Sequence, residues 1–239
     1  MSLFKIHLTL LIGWGFNRCT APPFKAAPKD AKRILTLGES EWLEQEVLPW
    51  AARAHYLFSI SEALVILACH FPGSQALQSF AAQLTAHGSS ATCTALTLSP
   101  QQAIGAGLLL TGTFIRLWAF AHMGDLFAFT AAVRKDHRLV TAGPYSIVRH
   151  PGYTGALISH PGWLLWTFGS SGRPHASGIW DSGIMAKIFI VVYSLFTLGP
   201  WLIISRRAKV EDEALREHFD PKCDQWAEKV RYRVVPGLF

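Results

Sequence analysis

The chain has 239 residues, of which 50% are hydrophobic and 16% charged, with a formal net charge of +6. Soluble domains carry about 25% charged residues, and here the apolar residues fall in long runs, not in periodic stripes, which excludes an ordinary soluble domain. The basic residues gather beside those runs, where they set membrane orientation, so the charge is not read as a nucleic-acid footprint. Nine tryptophans fit the same picture, since indoles favour the membrane interface. The four cysteines (Cys19, Cys69, Cys93, Cys223) show no metal-ligand or redox spacing, so no metal site and no disulfide framework is expected.

Five apolar runs read as membrane spans: Leu3 to Phe16, Pro49 to Phe71, Ile104 to His122, Thr154 to Phe168 and Ile184 to Ser205. A bilayer core needs about 20 helical residues, so the first and fourth are short. In the third, Gly105, Gly107 and Gly112 allow close helix approach. Pro161 and Pro200 fall inside the fourth and fifth and predict kinks. The fold class is therefore all-α, a polytopic membrane protein of about five spans. Residues 1–239 read as one membrane domain, with 1–122 supplying N-terminal spans and loops.

The connections alternate in charge. Lys25, Lys29, Lys32 and Arg33 follow the first run, Arg134, Lys135, Arg138 and Arg149 follow the third, and Arg206, Arg207 and Lys209 follow the fifth. By contrast, Phe71 to Pro100 holds no Lys, Arg, Asp or Glu, and the connection after the fourth run holds only Arg173 as a basic residue. The positive-inside rule then places the C-terminal tail in the cytosol. Lys5 with small residues near Ala21 also fits a cleaved signal peptide, but that reading breaks the alternation, so a retained first span is expected. Glu39 to Trp50 reads as an acidic cytosolic segment with Ser40 as its N-cap. Gln75 to Pro100 is uncharged and small, either an interfacial segment or a loop.

Two stretches carry chemistry. Asp136 to Gly155 reads DHRLVTAGPYSIVRHPGYTG. Its Gly143-Pro144 marks a turn and Pro151 discourages helix at the residue before it. An ordered loop results, gathering His137, Tyr145, Arg149, His150 and Tyr153. It is either an interfacial anchor of aromatic and basic residues or a site. Arg206 to Phe219 reads RRAKVEDEALREHF and is helical in pattern, with Arg207 and Glu211 four apart on one face. Alone it would be a solvated, salt-bridged helix. On the same membrane side as the His-Pro loop, it can build a shared site.

Together these stretches resemble the isoprenylcysteine carboxyl methyltransferase family, and more widely the membrane phospholipid-methyltransferase-like group. The first motif is carried by His137, Leu139, Val140, Gly143, Tyr145, Arg149, His150, Pro151, Tyr153 and Gly155. The second is carried by Arg207, Glu211, Asp212 and Leu215, followed by Phe219, Trp226 and Val235-Pro236-Gly237. The resemblance covers roughly the C-terminal half, and makes 123–239 a methyltransferase core whose cytosolic C-terminal helix caps a cofactor pocket. It implies S-adenosylmethionine as cofactor, bound by His137, Leu139, Val140, Tyr145, His150, Tyr153 and Glu211. It gives Arg207 and Glu211 as catalytic residues, with Arg207 facing the acceptor carboxylate. The chain departs from the family pattern at Asp212, a shorter second acid, at Asp220-Pro221, where a glycine is usual, and at Cys223, which leaves Trp226 as the sole aromatic of an expected pair.

The implied activity is methylation of the carboxylate of a prenylated protein C-terminus, or of a prenylated small molecule, by an enzyme of the endoplasmic-reticulum type with its site facing the cytosol. A phospholipid or other lipid amine is the alternative acceptor, and a non-enzymatic membrane scaffold the alternative class. Glu62 and Arg116 fall inside spans two and three, where charges are costly. They read either as a mutual ion pair or as polar lining near the acceptor. His55, His70 and His122 read as interfacial.

Overall fold

The computed structural model describes residues 3–21, 32–33, 48–85, 89–126, 132–133 and 138–237. The regular elements among the described residues are helices, apart from one antiparallel pair of two-residue strands, β1 (Lys32–Arg33) and β2 (Ala132–Val133). In chain order the helices are α1 (Phe4–Thr20), α2 (Leu48–His70), α3 (Gln75–Gln83), α4 (Ser89–Ala95), α5 (Pro100–Met123), α6 (Pro151–Phe168), α7 (Arg173–Ala176), α8 (Ile184–Phe219) and α9 (Lys222–Lys229). Each of the five apolar runs is a helix. Two of them, α2 and α5, are long and apolar enough to cross a membrane, and Ile184–Gly199 is a shorter apolar helical stretch.

Local chemistry explains several boundaries. Ser99 Oγ accepts from the Gln102 amide at 3.2 Å, and Pro100 fills the first helical position, so α5 starts four residues before its apolar run. Pro151 opens α6 in the same way, three residues before the expected start, and Pro161 lies inside that helix without ending it. The fifth run and the tail helix form one element of 36 residues, α8, about 54 Å long at the usual helical rise. Asp220-Pro221 closes it, and the charged pattern resumes in α9. The uncharged 75–100 segment holds α3 and α4. Of the acidic segment and its Ser40 cap, 39–47 lie outside the described residues.

The chain divides into two compact units. The first comprises 1–17, 53–110 and 158–199. Its main core joins Ile12 and Phe16 of α1, Ala106 and Leu109 of α5, and Trp163 and Trp166 of α6. Glycine lets α5 and α6 meet: a Cβ at Gly105 would come within 2.7 Å of the Trp166 amide nitrogen, and one at Gly162 within 2.5 Å of the Leu109 amide nitrogen. Gly107 faces open space and has no such part. A second cluster joins Val65, Ile66 and Ala68 to Ala81, Leu96 and Ala176.

Two features of this unit were not foreseen. Cys69 and Cys93 form a disulfide between the last turn of α2 and α4, with Cα atoms 5.6 Å apart. The expectation of no disulfide is thereby corrected; residues 24 apart carry no local spacing signal, and the fold brings them together. Lys5 is also buried, and donates to Thr97 O (3.0 Å), Gln102 Oε1 (3.1 Å) and Ser171 O (3.0 Å). Its ammonium lies 3.8 Å from the fully buried Glu62. Glu62 and Arg116, read either as a mutual ion pair or as polar lining, each have another partner: Glu62 faces Lys5, and Arg116 Nη1 donates to Gly152 O at 2.6 Å.

The second unit comprises 18–52, 111–157 and 200–239. Gly155 sits against α5, where a Cβ would come within 2.5 Å of Gly112 O and 2.7 Å of Arg116 Cβ. One cluster packs Ala119 and Tyr145 against Cys223, Trp226 and Val230, with Leu139 and Val140 at its edge. Another packs Ala156, Ile204 and Ala208 around Val234, whose burial contributes on the order of 2 kcal/mol.

Candidate active site

The site grows from the start of α6. His150 is the last residue before the helix, and its carbonyl accepts from the amides of Tyr153 (3.0 Å) and Thr154 (3.2 Å). That places the His150 and Tyr153 rings side by side, stacked at 5.6 Å between centroids. Upstream, Gly143 turns the chain at φ +61°, in a turn where a Cβ would strike the His122 ring.

The facing element is α8. Arg207 and Glu211, one turn apart, stand 3.7 Å from each other. Tyr153 donates its hydroxyl hydrogen to Glu211, and the Arg207 guanidinium lies 5.9 Å from the Tyr153 ring centroid. His150 lies between two consecutive carboxylates: Nδ1 is 3.4 Å from Glu211 and Nε2 is 2.8 Å from Asp212. Asp212 in turn accepts from Arg233 Nε at 2.8 Å and lies 3.3 Å from Arg149.

These contacts fix the charges. Burial opposes a charge on His150, yet the hydrogen bonds to Asp212 and Glu211 prevail and lift its pKa to about 9. Burial raises the Glu211 carboxyl, but the His150 hydrogen bond and the His150 and Arg207 charges outweigh it and hold it below the usual range. Asp212 is held down in the same way, against burial, by His150, Arg233 and Arg149. An imidazolium can donate from both ring nitrogens, which is what the two carboxylates require.

The structure therefore brings His150, Tyr153, Arg207 and Glu211 into one cluster. Leu139, Val140 and Tyr145 lie in the apolar cluster under Trp226, whose indole donates to Tyr145 O at 3.1 Å. His137 lies outside the described residues. Sequence reasoning missed Arg233, one of the basic residues of the tail. Arg116, which the sequence offers as polar lining near the acceptor, reaches the carbonyl beside Tyr153.

Cations outnumber carboxylates here: Arg116, Arg149, His150, Arg207 and Arg233 stand against Glu211 and Asp212. Arg116 is 8% exposed, and its Nε and that of Arg149 are buried with no hydrogen-bond partner among the described residues. Buried donors of this kind call for an acceptor. The arrangement suits ligands that carry carboxylates, with Glu211 able to meet a positive group.

Residues 105–170 match the profile of the isoprenylcysteine carboxyl methyltransferase family. The chain is 30% identical over 134 residues to a protein-S-isoprenylcysteine O-methyltransferase of Schizosaccharomyces pombe, covering 55% of this chain and 48% of that protein. It is 27% identical over 130 residues to a probable protein-S-isoprenylcysteine O-methyltransferase of Oryza sativa subsp. indica, covering 53% and 57%. It is 27% identical over 128 residues to protein-S-isoprenylcysteine O-methyltransferase B of Arabidopsis thaliana, covering 53% and 55%. The chain spans about half the length of the curated relatives it matches. No solved structure matches it.

Proposed function

We propose that this protein is an integral membrane methyltransferase that uses S-adenosylmethionine to esterify the carboxylate of a C-terminal prenylated cysteine or a related prenylated molecule. The observation that carries the reading is the meeting of Tyr153 and His150 with Glu211, which joins the two sequence motifs in one cluster. The similarity to the isoprenylcysteine methyltransferases supports the acceptor class.

The residues fit the cofactor. Its amine would be met by Glu211, and its carboxylate by the cationic groups around the His150 loop. When bound, S-adenosylmethionine supplies an electrophilic methyl group to a carboxylate oxygen and departs as a neutral thioether. The acceptor carboxylate is already ionised near pH 7, so the chain has no proton to remove, and its work is positioning and electrostatics. Arg207 holds the acceptor carboxylate, with Arg116 as a second cation on the α5 side. The surplus of cations favours a carboxylate acceptor over an amine.

Two observations support a cytosolic site in a membrane of the endoplasmic-reticulum type. The basic connections alternate with the uncharged Phe71–Pro100 connection, and that same connection carries the Cys69–Cys93 disulfide, a bond of oxidising compartments. The test is transfer of a labelled methyl group to N-acetyl-farnesylcysteine by the purified protein in detergent. A base-labile methyl ester, formed at a rate flat in pH above about 6, is expected, because the carboxylate has ionised by then. A base-stable product on an amine lipid, with a rate that rises with pH, would replace the carboxylate reading.

A further inference from the structure

Glu211 and Asp212 are consecutive, so on a helix their side chains point about 100° apart. Glu211 turns to Tyr153 and Arg207, Asp212 to Arg149 and Arg233, and among the described residues only the His150 ring touches both. What fixes the ring is therefore what fixes Asp212. One Asp212 oxygen, Oδ2, is held by Arg233 Nε at 2.8 Å, which leaves Oδ1 to accept from His150 Nε2 at 2.8 Å.

Arg233 is not a loose tail residue. Its carbonyl accepts from the His150 amide at 2.7 Å, and the preceding Tyr232 carbonyl accepts from the Arg149 amide at 3.0 Å. The following residue, Val234, is 1% exposed, and its carbonyl accepts from Thr154 Oγ1 at 2.6 Å. The C-terminal segment is thus strapped over the start of α6 by backbone bonds. Residue 150 closes a ring: its amide holds the Arg233 backbone, and its imidazole meets the carboxylate that the Arg233 side chain orients.

We infer that Arg233 is a positioning residue of the methyl-transfer site, acting through Asp212 to aim His150, and through His150 to set Glu211 for the cofactor amine. The inference rests on the proposed function. Arg233 touches neither Glu211 nor Arg207 among the described contacts, so it acts at one remove. The strap makes the C-terminal segment part of the site.

The test has one arm that needs no cofactor. The titration of His150 is followed by NMR of labelled histidine, with H150Q assigning the signal, in wild type, D212N, R233Q and the double variant. D212N should lower the His150 midpoint in wild type and lower it by less than half as much in R233Q, because Asp212 is no longer aimed at the ring. An equal shift in both backgrounds overturns the inference. Should R233Q not fold, R233M takes its place, and an undiminished D212N shift again overturns it. The second arm is calorimetry with S-adenosylmethionine. R233Q should bind about tenfold more weakly, the scale of one charge-assisted hydrogen bond, with the melting temperature kept and R233K restoring most of the loss. Affinity unchanged in R233Q overturns the inference. If wild type binds no S-adenosylmethionine, the proposed function fails, while the His150 titration still judges Arg233.

Discussion

Tyr153 donates a hydrogen bond to Glu211 across 58 residues of chain, and this contact joins the His-Pro loop to the long helix α8. A phenol that donates to a carboxylate, beside an imidazolium and an arginine, makes a preorganised charged site at the mouth of an apolar helix. The proposed chemistry needs such a site, because no covalent or proton-transfer step is asked of the protein.

Arg207 stands on the same face as Glu211 and is the residue assigned to the acceptor. R207A should raise the KM for a farnesylcysteine analogue and lower turnover by about tenfold or more, the scale of a charge-assisted hydrogen bond, with cofactor affinity within about threefold of wild type. Steady-state kinetics with each substrate varied in turn decides it. Unchanged turnover and unchanged acceptor KM would remove Arg207 from acceptor binding.

The His150 charge links stability to pH. Its folded pKa of about 9 lies above the ordinary value of 6.5, so its stabilisation is complete below pH 6.5 and is lost as pH rises through 9. The gap in melting temperature between wild type and H150Q should therefore be widest below pH 6.5 and close towards pH 9. Glu211 and Asp212 act in the opposite sense, adding stability above about pH 4 that disappears as pH falls through their lowered values. A gap that widens between pH 6.5 and 9 would contradict the imidazolium assignment.

Lys5 is the cation nearest the buried Glu62 carboxylate. K5M should cost about 3 kcal/mol, because it takes the nearest cation from a fully buried carboxyl and leaves the acceptors at Thr97, Gln102 and Ser171 without their donor, whereas K5M/E62L should cost less than K5M alone. Thermal unfolding in detergent reads both. A K5M protein as stable as wild type would show that α1 is held by its apolar face alone.

The Cys69–Cys93 bridge predicts the compartment of the segment around it. In sealed microsomes, a membrane-impermeant maleimide should label neither cysteine until the vesicles are both permeabilised and reduced. Labelling of Cys69 and Cys93 in intact vesicles treated with a membrane-impermeant reductant would reverse the proposed orientation.

The sequence displayed the helices well and their partners poorly. Apolar runs mark α1, α2, α5, α6 and α8 because each buries or exposes a long greasy surface, and the caps at Ser99 and Pro151 shift only the starts. The helices α3 and α4 were left open between interface and loop, since their small, uncharged residues give little pattern. The Cys69–Cys93 bond and the Lys5–Glu62 contact depend on tertiary approach and have no local signature. In the site, the i, i+4 spacing of Arg207 and Glu211 is legible from helix geometry and their nearness to the His-Pro loop from the charge alternation, but which side chains meet is not. Arg233 was invisible, because its role comes from backbone bonds that strap a tail over α6.

In the proposed function, the His150 loop and α8 hold S-adenosylmethionine through Glu211. Calorimetric titration of wild type and E211Q with the cofactor tests it most directly, since the substitution keeps the shape and removes the charge. Wild type should bind saturably, and E211Q about tenfold to a hundredfold more weakly, the range for losing a charged partner. Equal affinity in the two proteins would contradict it.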